Sequence, residues 1–258
     1  MIFKTKLFRK SRVKFPKRKT TCLSKMRPKL VLFDIDGTIL KVSDGLSKNI
    51  FQKVFCNLFN LEQTATNIDF DFSGLTDLEI LHKLSKIYEI DFQKVESNIE
   101  IIWKKIYSEF EIRCKKEDIH VYDNVEEFIT ELDSKANVTL GLLTGNFKEC
   151  AYLKLGLVGL DKFFAFGAFG NESIERSNLP PLAIERANRF VGKDIFTNEN
   201  TYIIGDSVLD IIAARKNNIK VISVATGRTE YEELVKMEPD LAIHNFSEKD
   251  RINTFLGL

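Results

Sequence analysis

Residues 30–38 read Leu-Val-Leu-Phe-Asp-Ile-Asp-Gly-Thr, an unbroken apolar run that ends in two carboxylates one residue apart. A short run without polar alternation is the pattern of a strand buried on both faces, as in a parallel sheet. The carboxylates at its end set an electrostatic problem. At ~4 Å and an effective dielectric of about 20, a like-charged pair costs about 4 kcal/mol. A hard divalent cation, which prefers carboxylate oxygens, relieves that repulsion. A calcium-binding loop starting at Asp34 fails, because its sixth position is Ile39 where glycine is needed and its twelfth is Gly45 where glutamate is needed. A dinucleotide-binding turn fails too, since no G-x-G-x-x-G follows the run.

Downstream of residue 121, apolar runs alternate with helical periodicity. Strands are expected at 138–143 (VTLGLL), 201–205 (TYIIG), 220–225 (KVISVA) and 241–243 (LAI), with a further apolar stretch at 163–169. Helices fall between them: one carrying Val125, Phe128, Ile129 and Leu132, one capped by Asn146 with Glu149, one opened by Pro180-Pro181, one capped by Ser207 with Asp210, and one near 230–237. The alternation implies a doubly wound α/β fold, a parallel sheet with helices on both faces. Residues 43–121 read as all helix. Ile50, Phe51, Val54, Phe55 and Leu58 line a first helix. A second opens at Thr76-Asp77-Leu78-Glu79 and carries Leu78, Leu81, Leu84 and Ile87. A third runs from about Asp91 to Lys115 on a stripe of Phe92, Val95, Ile99, Ile102, Ile106 and Phe110. The expected organisation is thus a core of residues 26–42 and 122–258, a helical insertion at 43–121, and a basic extension at 1–25.

Composition agrees with a globular chain: 258 residues, 44% hydrophobic and 29% charged. No apolar run reaches the ~18 residues of a membrane span. Four cysteines far apart, with no C-x-x-C, make neither a disulfide framework nor a zinc site and suit a reducing, cytoplasmic compartment. Residues 1–29 hold twelve Lys/Arg and no Asp or Glu, so the remainder, with 26 basic and 37 acidic residues, carries −11. That acidic body argues against a nucleic-acid partner. The basic start reads as an organelle transit segment, as a basic arm, or as a stretch ahead of a true start at Met26. A chain beginning at Met26 is expected to fold and keep whatever activity the full chain has, because residues 1–25 show no packing stripe. A loss of activity beyond about tenfold would show the arm to be structural.

Polar groups sit where the strands end: Asp34 and Asp36, Thr144 and Asp206. In open α/β sheets ligands bind in the crevice at the carboxyl ends of the strands. An aspartate after a strand is commonly only a cap or turn residue; their co-occurrence on three strands is what points to a site.

Four segments in order resemble the haloacid dehalogenase-like hydrolases, in their phosphatase branch. They are Asp34-Ile35-Asp36-Gly37-Thr38, Leu142-Leu143-Thr144-Gly145-Asn146, the cation Arg176 ahead of a helix in RSNLPPLAIERA, and Gly205-Asp206-Ser207-Val208-Leu209-Asp210. The insertion at 43–121 is similar to that family's helical cap, on a Rossmann-like hydrolase core. The resemblance implies a Mg²⁺-dependent phosphatase of the phosphoglycolate phosphatase-like kind, acting on a small phosphorylated metabolite. It implies Asp34 as nucleophile and Asp36 as general acid and base. Gly37 permits the turn between them, and Thr144, Gly145 and Asn146 bind phosphate. Arg176 neutralises charge, and Asp34, Asp36 (through its main-chain carbonyl), Asp206 and Asp210 form the metal site. Relatives often have Lys-Pro where this chain has Arg176-Ser177, so Lys154, Lys162 and Arg186 are rival cations. They also often read Tyr-Pro-Gly-Val where this chain has Tyr122-Asp123-Asn124-Val125. Ser73–Asp77 resembles a loop of the cap that faces the site, although Thr76 as a plain helix cap accounts for its sequence. Trp103 reads as interior of the cap. A phosphomutase of β-phosphoglucomutase type shares all four motifs, and a catalytically silent binding module shares the fold. A dehalogenase does not need Asp36. The sequence does not decide between monomer and dimer.

Overall fold

The structure is a computed structural model describing residues 27–62 and 70–258. The basic extension at 1–25 lies outside the described residues. Strands β1 (Lys29–Phe33), β4 (Val138–Thr144), β5 (Gly167–Phe169), β6 (Thr201–Gly205), β7 (Lys220–Val224) and β8 (Leu241–Ile243) form one sheet in the order β5-β4-β1-β6-β7-β8. Every neighbouring pair is parallel. The chain builds outward from β1 to one edge through β4 and β5, then crosses to the other side for β6, β7 and β8. The switch therefore lies at β1, where the crevice of an open α/β sheet opens.

The sheet separates two apolar layers. Val31 and Phe33 of β1 face one side, where Phe33 meets Phe128 and Phe164 edge-on with ring centroids at 6.3 and 5.9 Å. That layer is closed by helices α5 (Val125–Ser134), α6 (Lys148–Leu157) and α10 (Lys249–Leu256). Leu30 and Leu32 face the other side, against α7 (Leu179–Val191), α8 (Val208–Lys216) and α9 (Tyr231–Lys236). Helix α10 lies beyond the last element legible in the sequence, and its Ile252 and Leu256 are buried in the first layer.

Between β1 and α5 the described residues form four α-helices: α1 (Leu46–Phe59), α2 (Asp77–Ile87), α3 (Phe92–Ser97) and α4 (Ile99–Arg113). Two expectations change here. Residues 43–121 are not helical throughout, because Ile119–Val121 form β3, which pairs antiparallel with β2 (Leu40–Val42). The chain thus leaves and re-enters the core through a two-stranded neck, whose pairing partners are too far apart in sequence for periodicity to show. The third helix is also two helices. Asn98 stands at φ −110°, ψ 8°, and its side-chain amide donates to the Lys94 carbonyl at 2.9 Å, ending α3 just where α4 begins. The buried stripe survives the break as Val95, Ile102, Ile106 and Phe110. On α2 the buried face is Ile80, Leu81 and Leu84, with Ile87 exposed. No helix of the described residues is long and apolar enough to cross a membrane.

Candidate active site

Strands β1, β4 and β6 are adjacent, so their last residues converge at one edge. Asp34 leaves β1 with its amide on the Ile204 carbonyl at 3.0 Å. Its carboxylate is buried and meets the Arg176 guanidinium at 2.9 Å. The same guanidinium nitrogen binds Asp210 at 2.6 Å, and Arg176 also donates to the carbonyls of Gly74 and Leu143. Asp206 accepts from the Thr38 hydroxyl at 2.9 Å. Gly37 turns at φ +88°, a conformation that disfavours side chains, and a Cβ there would fall on the Asp206 carboxylate.

Asp34, Asp206 and Asp210 bring one carboxylate oxygen each to within 4.8 Å of one another, all buried. One guanidinium faces three carboxylates, an excess of negative charge that needs a further cation. The proton affinities show the same imbalance. Burial pushes the Asp34 carboxyl up to about 6, against the pull of Arg176. Burial, then Asp34 and Asp210, pushes Asp206 well above the carboxylate range. Oxygen donors in this number fit a hard divalent cation such as Mg²⁺.

The Asp36 side chain is not part of that cluster. It points to Lys154, whose ammonium lies 2.9 and 2.8 Å from the two carboxylate oxygens. Lys154 also donates to the Asn146 side-chain oxygen at 2.7 Å, and the Asn146 amide returns to Asp36 at 2.5 Å and to the Thr144 hydroxyl at 2.9 Å. Burial alone would lower the proton affinity of Lys154, but the Asp36 contact raises it above its ordinary value, so the ammonium persists. Asn146 is therefore not the cap expected for α6, which starts at Lys148 with Phe147 before it. Its side chain is spent on Asp36, Lys154 and Thr144. Of the other rival cations, Lys162 lies over the Phe163 ring and Arg186 is paired with Glu172.

Above these groups is a cavity of about 420 Å³ bounded by Asp34, Asp36, Gly145 and Asn146 below and by Phe51 and Phe72 of the helical insertion. Thr144 is fully buried behind Gly145 and Asn146 rather than on the wall. Lys41, Lys48 and Arg228 bring positive charge to the cavity, and Arg228 reaches Asp71 of the insertion at 2.9 Å. The Tyr122 hydroxyl is pushed up to about 12 by burial and by Asp206 and Asp36, so it stays protonated.

Two buried groups have partners that the sequence does not supply. Lys154 reads in the sequence as a rival to Arg176 for the cation ahead of a helix, and the structure pairs it with Asp36 instead. Its signal was its place on the inward stripe of α6 with Cys150, Ala151 and Leu155, where a cation needs a partner. Asp77 closes the segment Ser73–Asp77 that resembles a site-facing loop of the cap, but the sequence assigns its side chain no partner. It is buried, its carboxylate accepts from the Phe147 amide at 2.7 Å, and burial pushes its carboxyl up to about 7. Trp103, read as interior of the insertion, stacks on Phe147 of the core at 5.1 Å.

Comparison with known proteins extends the match over most of the chain. The pyrophosphatase PpaX of Oceanobacillus iheyensis is 23% identical over 223 residues, covering 86% of this chain and 95% of the relative. The phosphoglycolate phosphatase of Vibrio cholerae is 24% identical over 212 residues, covering 82% and 91%. Among solved structures, β-phosphoglucomutase from Clostridium difficile superposes with a TM-score of 0.63 at 17% identity, over 90% of this chain and 100% of that one, which shows a shared fold. Residues 31–224 match the sequence profile of the haloacid dehalogenase-like hydrolases, and the chain belongs to that family.

Proposed function

We propose that this hydrolase is a Mg²⁺-dependent phosphomonoesterase that acts on a small phosphorylated metabolite through an aspartyl-phosphate on Asp34. The observation that carries the reading is the buried Asp34 carboxylate at the cavity floor, paired to Arg176 and grouped with Asp206 and Asp210. In the first step an Asp34 oxygen forms a bond to phosphorus as the ester bond breaks. Asp36, with its proton, protonates the departing oxygen. In the second step water attacks phosphorus, Asp36 takes its proton, and the Asp34 carboxylate is released with phosphate. The Lys154 ammonium, 2.8 Å from an Asp36 oxygen, holds that carboxyl in place for both steps. Arg176 offsets charge between nucleophile and phosphoryl group. Asp34, Asp206 and Asp210, with the main-chain carbonyl of Asp36, would hold Mg²⁺. When bound, the ion supplies charge neutralisation to the phosphoryl oxygens.

The names of the relatives, a pyrophosphatase and a phosphoglycolate phosphatase, denote small anionic phosphates. The cations around the cavity suit such substrates. A phosphate-release screen starting with pyrophosphate and phosphoglycolate should show turnover with Mg²⁺ and none in excess EDTA. Turnover that survives EDTA would contradict the reading.

Two substitutions separate the roles. Asp206→Ala should remove most activity and abolish the rise in melting temperature that Mg²⁺ gives the parent protein. The metal-free variant should melt no lower than the parent, because a carboxylate burdened by burial and two like charges is gone. A metal-free melting point well below the parent's would show that Asp206 serves the fold. Asp36→Asn should slow turnover about 10²–10⁴-fold, and less for p-nitrophenyl phosphate than for an alkyl phosphate, whose leaving oxygen needs the proton more. Equal losses on both would assign Asp36 to the metal or the fold.

A further inference from the structure

An ordinary first-turn aspartate faces solvent and acts through the helix dipole. Asp77 does neither. Its carboxylate is buried and bonds outside its own helix, to the amide of Phe147, and its own amide donates to the Gly145 carbonyl at 2.7 Å. These two bonds make a closed clamp between the first turn of α2 and loop 144–147, the loop that carries the phosphate-facing wall of the cavity. The clamp sits among other contacts of the same kind. Leu78 donates to the Gly170 carbonyl at 3.1 Å, and the Thr76 hydroxyl donates to the Ile174 carbonyl at 2.9 Å. A Cβ on Gly145 would fall on the Leu75 carbonyl, so only glycine lets the insertion and the loop meet backbone to backbone.

We propose that Asp77 is a positioning residue, the latch through which seating of the helical insertion on the core sets the geometry of loop 144–147. This rests on the phosphatase reading of that loop. The groups that face the Asp77 carboxylate are the Phe147 amide, the Lys154 ammonium, the Asp36 carboxylate and the Cys150 thiol. Against burial the amide and the ammonium favour its charged form, but a buried carboxylate with one direct bond remains a costly choice if packing were the only demand. Its use there makes sense as an acceptor that ties the insertion to loop 144–147. An unseated insertion would leave the Phe147 amide without its partner, and a shift of about 1 Å in a phosphate-binding loop is enough to slow chemistry by about 10²-fold.

The protein carries its own reporter. Trp103 is the only tryptophan in the chain, and it bridges α4 of the insertion and Phe147 of the core. Asp77→Asn keeps an acceptor of the same shape, whereas Asp77→Ala removes it. With Mg²⁺ present, Asp77→Ala should lower kcat about tenfold or more on both p-nitrophenyl phosphate and an alkyl phosphate, and its Trp103 emission should move to the red. Asp77→Asn should keep kcat within about threefold and keep the parent emission. If Asp77→Ala does not fold, Asp77→Ser, a polar first-turn residue too short to reach Phe147, should show the same loss. Ala or Ser variants with near-parent kcat and unchanged emission would overturn the latch, as would an Asn variant as impaired as Ala. If the parent protein releases no phosphate, the functional reading fails, while the emission comparison still judges the latch.

Discussion

Asp34→Asn should leave a folded protein with no measurable turnover, a loss of about 10⁴-fold or more. An amide cannot form the acyl phosphate, so the route through a covalent intermediate is closed rather than slowed. The fold should tolerate the change well. Asn matches Asp in shape and still accepts from Arg176, and it removes a carboxyl that burial has already pushed up to about 6. The metal-free variant should therefore melt at or above the parent. Near-normal turnover would remove Asp34 from the chemistry and with it the proposed mechanism. A collapsed fold would show that the charge on Asp34 is structural.

Arg176→Met should have the largest effect on stability. Its guanidinium is the cation that binds Asp34 and Asp210 while also satisfying the Gly74 and Leu143 carbonyls. Methionine fills much of the space but leaves three buried carboxylates facing one another. Breaking a buried pair from one side costs about 3–5 kcal/mol, which urea unfolding in EDTA would read directly. The loss should shrink on acidification, because protonation of the cluster relieves the repulsion. Metal-free parent protein should show the same sign in milder form. The folded state holds the Asp34 proton up to about 6, above the ordinary carboxylate value, so it binds more protons than the unfolded chain between about pH 4 and 6. Stability contributed by the protonated form is lost as pH rises through that window. Arg176→Lys should recover only part, since an ammonium cannot span two carboxylates and two carbonyls in one plane. An unfolding midpoint unchanged in Arg176→Met would contradict this account of the cluster.

Much of the fold was legible because its signals are local. The continuous apolar strands and the helices between them follow from periodicity alone, and the carboxylates at 34, 36 and 206 stand at the ends of runs visible in the sequence. What was hidden depends on partners distant in the chain. Strand β3 is three residues whose only mark is pairing with β2. Asn146 has the spacing of a helix cap, yet its side chain is taken by Asp36, more than a hundred residues earlier. Asp77 has the spacing of a dipole residue, yet its bond is to Phe147. In each case the local reading was chemically sound, and a tertiary contact offered the same side chain a buried partner. Lys154 is the instructive middle case. A cation on the buried stripe of α6 announces that a counter-charge must exist, without saying that it is Asp36.

The most direct measurement is the mass of the peptide containing Asp34 after acid quench of the enzyme turning over p-nitrophenyl phosphate with Mg²⁺. The account predicts the mass increment of one phosphoryl group on Asp34, removed by hydroxylamine as expected of an acyl phosphate and absent in Asp34→Asn. Metal-dependent phosphate release with the phosphoryl group on a different residue would contradict it.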